Sequence, residues 1–224
     1  MTLTKYGWKR WLPILLAGSV LTLLFIWLIQ YHSLWWIPSF CTASLTATFL
    51  SFFRNPWRTI PGNLPEGAML SPADGIISAI EYPKTYEGID GPVVIIRIFL
   101  SVFNVHINRV PCDCVVQEII YRPGKFLDAR LPKSAKINES NLIILQAGSS
   151  HIALKQISGK IARRIVCSMK PNDVLAQGEQ FGMITFGSTT ELILPNSEKT
   201  QLHVKKGDCV KGGITLLATL SPAI

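Results

Sequence analysis

The sequence predicts an all-β domain, of sandwich or barrel-sandwich type, carried behind an N-terminal transmembrane helical hairpin. Three observations predict it. Residues 11–53 contain no Asp, Glu, Lys or Arg. Beyond Pro61 the chain breaks into short β-rich runs punctuated by Gly, Pro, Asn and Asp, and helical periodicity is almost absent from that second part. A length of 224 residues with 48% hydrophobic content suits an anchor plus one domain. The expected boundary falls at residue 60, with 1–60 as anchor and 61–224 as the β-rich domain.

The uncharged stretch divides at Gln30-Tyr31-His32-Ser33 into two apolar blocks, about 11–30 and 34–53, each long enough to cross a hydrocarbon core of about 30 Å. Lys5, Lys9 and Arg10 precede the first block, and Arg54 and Arg58 follow the second. Basic residues stay on the cytoplasmic side, so both ends, and with them the β domain, are expected at the cytoplasmic face of the cell membrane. Trp8, Trp11, Trp35, Trp36 and Trp57 fit interfacial anchors. A cleaved signal peptide has a shorter apolar core and a small-residue cleavage site, which this stretch lacks. Pro38 leaves open one span plus a half-inserted segment.

Past the anchor, strands are expected at Gly75–Tyr82, Val93–Leu100, Val115–Tyr121, Leu142–Ala147, Ile152–Ile157, Ile161–Ser168, Met183–Phe186, Glu191–Leu194 and Ile214–Leu220. The five cysteines are an odd number without CxxC spacing, and no histidine joins a metal-ligand set, so no metal site is expected. A net charge of +8 favours anionic partners. The segment bearing Arg122, Lys125, Arg130, Lys133 and Lys136 reads equally as a site for a phospholipid headgroup or bilayer surface and as a solvated basic loop. No nucleic-acid motif accompanies it.

One dipeptide has chemistry of its own. In Phe186-Gly187-Ser188-Thr189 the serine hydroxyl can attack the preceding carbonyl, and elimination from the resulting ester leaves a dehydroalanine that hydrolyses to a pyruvoyl group. Glycine before the serine has no Cβ to crowd the nucleophile. Two other segments supply partners. Leu70-Ser71-Pro72-Ala73-Asp74-Gly75 offers a carboxylate, and Phe103-Asn104-Val105-His106-Ile107-Asn108-Arg109 offers an imidazole. Asp74, His106 and Ser188 thus form a candidate acid, base and nucleophile set. Each also has an ordinary reading: Asp74 as a turn residue, His106 as a core histidine, Gly187-Ser188 as a turn.

At these segments the chain resembles phosphatidylserine decarboxylase in its short form. The likeness extends through Tyr121-Arg122-Pro123-Gly124-Lys125-Phe126, Asn138-Glu139-Ser140-Asn141, Gln156 to Ile165 and Gly178 to Ile184, and so covers about residues 70–195. The resemblance implies self-cleavage between Gly187 and Ser188 into a large chain, 1–187, and a small chain, 188–224, that stay together as a heterodimer. It implies a covalent pyruvoyl cofactor derived from Ser188, a Schiff base with the amine of phosphatidylserine, and release of phosphatidylethanolamine. His106 is then the proton-transfer residue. One departure stands out: long forms carry a second histidine three residues after the first, where this chain has Arg109.

Rival readings come from other classes. A related serine lipid, of archaetidylserine type, presents the same headgroup. Gly178-Glu179-Gln180 and Gly207-Asp208-Cys209 are similar to the turn of lipoyl and biotinyl carrier domains, which suggests a non-catalytic membrane-tethered β module. That rival lacks a lysine-bearing tip and leaves Asp74 and His106 without a task.

Overall fold

The structure, a computed structural model, describes residues 1–131, 133–160, 164–185 and 187–221. It divides into two compact units, Met1–Trp57 and Arg58–Ile224.

In the first unit, helix α1 (Trp8–Leu28) packs on helix α2 (Trp36–Phe52). The packing uses small residues: a Cβ on Gly18 would collide with the Thr46 side chain, and the Thr22 and Thr42 hydroxyls meet at 3.1 Å. Close approach of this kind suits helices in lipid, where association relies on packing and polar contacts. The stretch Lys5–Leu28 is long and apolar enough to cross a membrane. With its 17 residues, α2 is about 25 Å long, roughly one turn short of a full crossing. Pro38 lies in the first turn of α2, where a missing N–H is harmless.

The second unit is built almost wholly of antiparallel strands. Its main strands are β1 (Gly75–Glu81), β2 (Val93–Leu100), β3 (Ile107–Arg109), β4 (Cys114–Arg122), β5 (Ser140–Ala147), β6 (Ser150–Ile157), β7 (Gln180–Ile184) and β8 (Ser188–Pro195). Six of them form the sheet β4-β5-β6-β8-β2-β1, extended by Val174–Leu175 beside β4 and Cys209–Val210 beside β1. Bulges at Ile77/Ala79 and Val116/Glu118 add bend and twist. A smaller sheet joins Ile165–Cys167, β7 and β3, and another joins Thr200–Leu202, Leu216–Leu220 and Ala68–Leu70.

Strand β8 is central, with β2 on one side and β6 on the other, and apolar residues cover both of its faces. Leu192 and Leu194 join Ile96, Ile98, Ile143, Leu145 and Leu154 in the main core, while Ile193 joins Val93, Ile95, Ile144 and Ala153 on the opposite face. A strand covered on both faces loses simple alternation, which is why Leu192-Ile193-Leu194 is a continuous apolar run.

The expected all-β unit and the helical pair are both present. The strand expected at Glu191 begins earlier, at Ser188. Of the expected Ile161–Ser168 run the strand is Ile165–Cys167, with 161–163 outside the described residues. Phe186 also lies outside them, and β7 ends at Ile184. The basic segment holds one short helix, Ser134–Ile137.

Candidate active site

Gly187 has φ +65°, a left-handed conformation that favours glycine, and Ser188 follows it as the first residue of β8. The dipeptide is therefore both a turn and a strand entry. Ser188 is fully buried, and its Oγ has no hydrogen-bond partner among the described residues. Buried hydroxyls are normally paired, so an unpartnered hydroxyl beside a left-handed glycine makes Ser188 a candidate functional residue. The Gly187 carbonyl oxygen rests on Gly159, where any Cβ would overlap it. On the other face of β8 the Thr189 hydroxyl donates to the Ala129 carbonyl at 3.4 Å, which brings the 125–138 segment against the same step.

His106 reaches this end of the sheet by a closed path. Ser188 pairs with Leu100 on β2, and the loop 101–105 leads directly to His106. Returning, the Ile184 N–H donates to the His106 carbonyl at 3.3 Å, and residues 185–187 lead back to Ser188. Both connections are short, so the serine and the histidine belong to one small ring of chain. The buried imidazole has its Nδ1 at 2.9 Å from the Asn104 carbonyl, an acceptor only. Nδ1 therefore carries the proton when the ring is neutral, and the lone pair falls on Nε2, the form a general base needs. Asn104 is itself fixed by the Ser101 N–H and hydroxyl, both at 2.8 Å from its Oδ1.

Asp74 stands at the same end of the sheet, since Gly75 starts β1 and Ile76 pairs with Phe99, the residue opposite Thr189. Its hydrogen bonds go to a residue that the sequence reading treated only as a basic flank. Arg58 meets the carboxylate edge-on, with Nη1–Oδ1 at 2.5 Å and Nη2–Oδ2 at 2.6 Å. The Gly212 N–H adds a bond to Oδ1 at 2.8 Å. Asp74 is thus more than the turn residue of its ordinary reading, but the partner shown is an arginine; His106 takes its orientation from Asn104. In the sequence Arg58 stands just before Pro61-Gly62, with no pattern that distinguishes it from the other arginines.

A second group that the sequence did not reveal is a buried amide chain. Asn108 Nδ2 donates to Thr190 Oγ1 at 3.0 Å, Gln156 Nε2 to Asn108 Oδ1 at 2.9 Å, and Asn141 Nδ2 to Gln156 Oε1 at 3.3 Å. It ties β3, next to His106, to the strand that Ser188 begins. Arg109, standing where long forms have their second histidine, is buried and donates from Nη1 to the Gly178 carbonyl at 2.9 Å.

In the basic segment, Asn138 holds Leu127 through both its amide atoms and donates to the Ser158 carbonyl at 2.8 Å. Arg130 pairs with Asp128 at 2.6 Å and its hydrogen bonds hold that carboxyl down at about 2. Cys112 and Cys114 are free and buried, and the hydrogen bond between their thiols, followed by burial, pushes Cys112 far upward. The two turns likened to carrier domains are built alike: Glu179 accepts from the Ala176 N–H and Asp208 from the Lys205 N–H.

Comparison with known proteins identifies a family. Residues 45–218 match the family model for phosphatidylserine decarboxylase. The phosphatidylserine decarboxylase proenzyme of Carboxydothermus hydrogenoformans is 45% identical over 169 residues, 75% of this chain and 78% of that protein. The proenzyme of Desulfotalea psychrophila is 43% identical over 185 residues, 82% of this chain and 85% of its own length. That of Syntrophus aciditrophicus is 39% identical over 214 residues, 94% of this chain and 96% of the relative. A match of this extent across both site and scaffold places the chain in the phosphatidylserine decarboxylase family of enzymes.

Proposed function

We propose that this chain is the precursor of a membrane-bound phosphatidylserine decarboxylase that cuts itself between Gly187 and Ser188. The observation that carries the proposal is the Ser188 hydroxyl, buried and unpartnered directly after a left-handed glycine. In the self-cleavage, Ser188 Oγ gives its proton to His106 Nε2 and attacks the Gly187 carbonyl carbon, and the peptide C–N bond breaks to leave an ester and a free amine. Loss of the Ser188 Cα proton with breakage of its Cβ–Oγ bond then frees Gly187 as a carboxylate and leaves dehydroalanine. Addition of one water and departure of one ammonia convert that residue to a pyruvoyl group at the head of 188–224.

The residues present suit such a group, because the position is dry and at a strand terminus. Once formed, the group supplies an electron-accepting carbonyl for loss of carbon dioxide from an amino acid headgroup. His106, held by Asn104, moves protons at the same place. Residues 188–224 are too few to fold alone, and β8 lies between β2 and β6, so the fragments remain one heterodimer.

A lipid substrate accords with the surroundings. The loop between Leu100 and His106 exposes Phe103, 83% accessible, while Lys133 and Lys136 add positive charge for a phosphate to the segment whose Ala129 carbonyl accepts from Thr189. The apolar stretch Lys5–Leu28, with α2 packed beside it, holds the enzyme in the cell membrane, and the basic flanks favour the cytoplasmic side for the β unit.

Intact-mass measurement of purified protein tests the reading: two species are expected, ending at Gly187 and beginning at a pyruvoyl-blocked residue 188. A single uncut chain in a preparation that releases carbon dioxide from phosphatidylserine would overturn it. Assays with archaetidylserine and with free serine separate a lipid headgroup enzyme from one acting on soluble amino acids.

A further inference from the structure

We infer that Arg58 is a positioning residue for the self-cleavage, holding in place the carboxylate of Asp74, the acidic member of the candidate Asp74, His106 and Ser188 set, by a clasp closed through Gly212. The inference rests on the self-cleavage reading above. The guanidinium spans both carboxylate oxygens, at 2.5 and 2.6 Å, and the pair is nearly dry, with side chains 8% and 11% accessible. The same Nη1 also donates to the Gly212 carbonyl at 2.5 Å, while the Gly212 N–H donates back to Asp74 at 2.8 Å. Arginine, aspartate and the backbone N–H and C=O of one glycine residue therefore close a ring in which each member fixes the other two. Arg58 suits this place because its planar fork matches a carboxylate edge, which a lysine cannot do.

The surrounding backbone ties the turn carrying Asp74 to the segment that closes the clasp. Gly213 N–H donates to the Ser71 carbonyl and Ser71 N–H to the Thr215 carbonyl, both at 2.8 Å, and the Ser71 hydroxyl caps the Ala73 carbonyl at 2.7 Å. Pro72 in turn accepts from the Arg109 N–H at 2.9 Å, on the strand that follows His106. Gly212 cannot be replaced by a larger residue without pressing on Ala73, whose backbone atoms lie 3.2 Å from a built Cβ. Gly212 belongs to the segment that becomes the small fragment, whereas Arg58 and Asp74 belong to the large one. The carboxylate is thus placed by a contact across the two future chains, before any bond is cut.

The test follows fragment formation in the full-length chain carrying Arg58→Ala or Arg58→Lys, with guanidinium ion added below its denaturing range and with urea or sodium chloride as controls. Arg58→Ala is expected to cleave at least about tenfold more slowly, about 1.4 kcal/mol on the barrier, with guanidinium restoring the rate, the controls leaving it unchanged, and Arg58→Lys intermediate. Rescue by the missing functional group is a result that mere damage to the fold does not give. Cleavage of Arg58→Ala within about twofold of the unaltered chain, or slow cleavage that guanidinium leaves unchanged, overturns the inference. If the unaltered chain itself stays uncut, the self-cleavage reading fails instead.

Discussion

Gly159 and Gly187 meet backbone to backbone, so that a Cβ at position 159 would occupy the place of the Gly187 carbonyl oxygen. The contact holds the carbonyl that Ser188 attacks in the proposed self-cleavage, and backbone cannot yield as a flexible side chain does. Gly159→Ala is therefore expected to slow self-cleavage at least about tenfold, a barrier change of about 1.4 kcal/mol. Time-resolved separation of the two fragments measures it; an unchanged rate would show that the contact does not govern the reacting carbonyl.

Ser188→Ala is expected to remain one chain and to have no decarboxylase activity. Its stability should not fall, because the hydroxyl removed is buried with no hydrogen-bond partner among the described residues. Deleting such a group relieves a desolvation cost of about 1–3 kcal/mol at the expense of one small contact. Thermal melting against an uncut His106→Ala chain checks this, and a markedly lower midpoint for Ser188→Ala would show that the hydroxyl is satisfied in the precursor.

The amide chain makes the opposite prediction for Asn108. Replacing it with Ala leaves the Gln156 Nε2 without its 2.9 Å acceptor and Thr190 without its 3.0 Å donor in a fully buried setting. A loss of about 2–4 kcal/mol is expected, in line with orphaned buried polar groups. Urea unfolding of the Asn108→Ala chain in the Ser188→Ala background reads it without interference from cleavage.

Tyr86 gives a pH dependence of known sign. Burial, reinforced by Glu191, pushes its phenol well above the usual range. The folded chain then keeps the proton where the unfolded chain, with a phenol near about 10, loses it. Stability from this group is complete below about pH 10 and falls as the pH rises further, because the unfolded state binds fewer protons there. Tyr86→Phe should flatten the decline in melting temperature from about pH 10 to pH 11.5 relative to the unaltered chain; parallel profiles would contradict the burial argument.

Sidedness is open to a direct reading. Cys209 is the exposed thiol of the β unit, whereas Cys112 and Cys114 are buried and Cys167 is partly covered. A membrane-impermeant maleimide should label Cys209 in inverted membrane vesicles and spare it in right-side-out ones. The reverse pattern would place the β unit on the outer face.

Four residues of the candidate site could be named before the fold was known. Gly187, Ser188, Asp74 and His106 stand out because the chemistry demands rare combinations of residue types at punctuated positions. The strand at Ser188 was harder to place, since Gly-Ser reads as a turn and only the pairing with Leu100 extends β8 back to it. Gly159 and Asn108 were illegible for another reason. A glycine in a loop and an asparagine in a strand are ordinary residues, and their importance arises from what the meeting of two sheets and their connections puts against them.

By itself, the sequence determined an apolar N-terminal stretch, a β-rich remainder and the Gly187-Ser188 step proposed for rearrangement, because each depends on residue types and on spacing along the chain. Only the tertiary structure decided what holds the carboxylate. Arg58 lies 16 residues from Asp74 and Gly212 lies 138 residues from it, yet the three share one hydrogen-bonded ring. Such a ring exists only when antiparallel pairing brings distant turns to one end of a sheet, and no local pattern encodes that meeting.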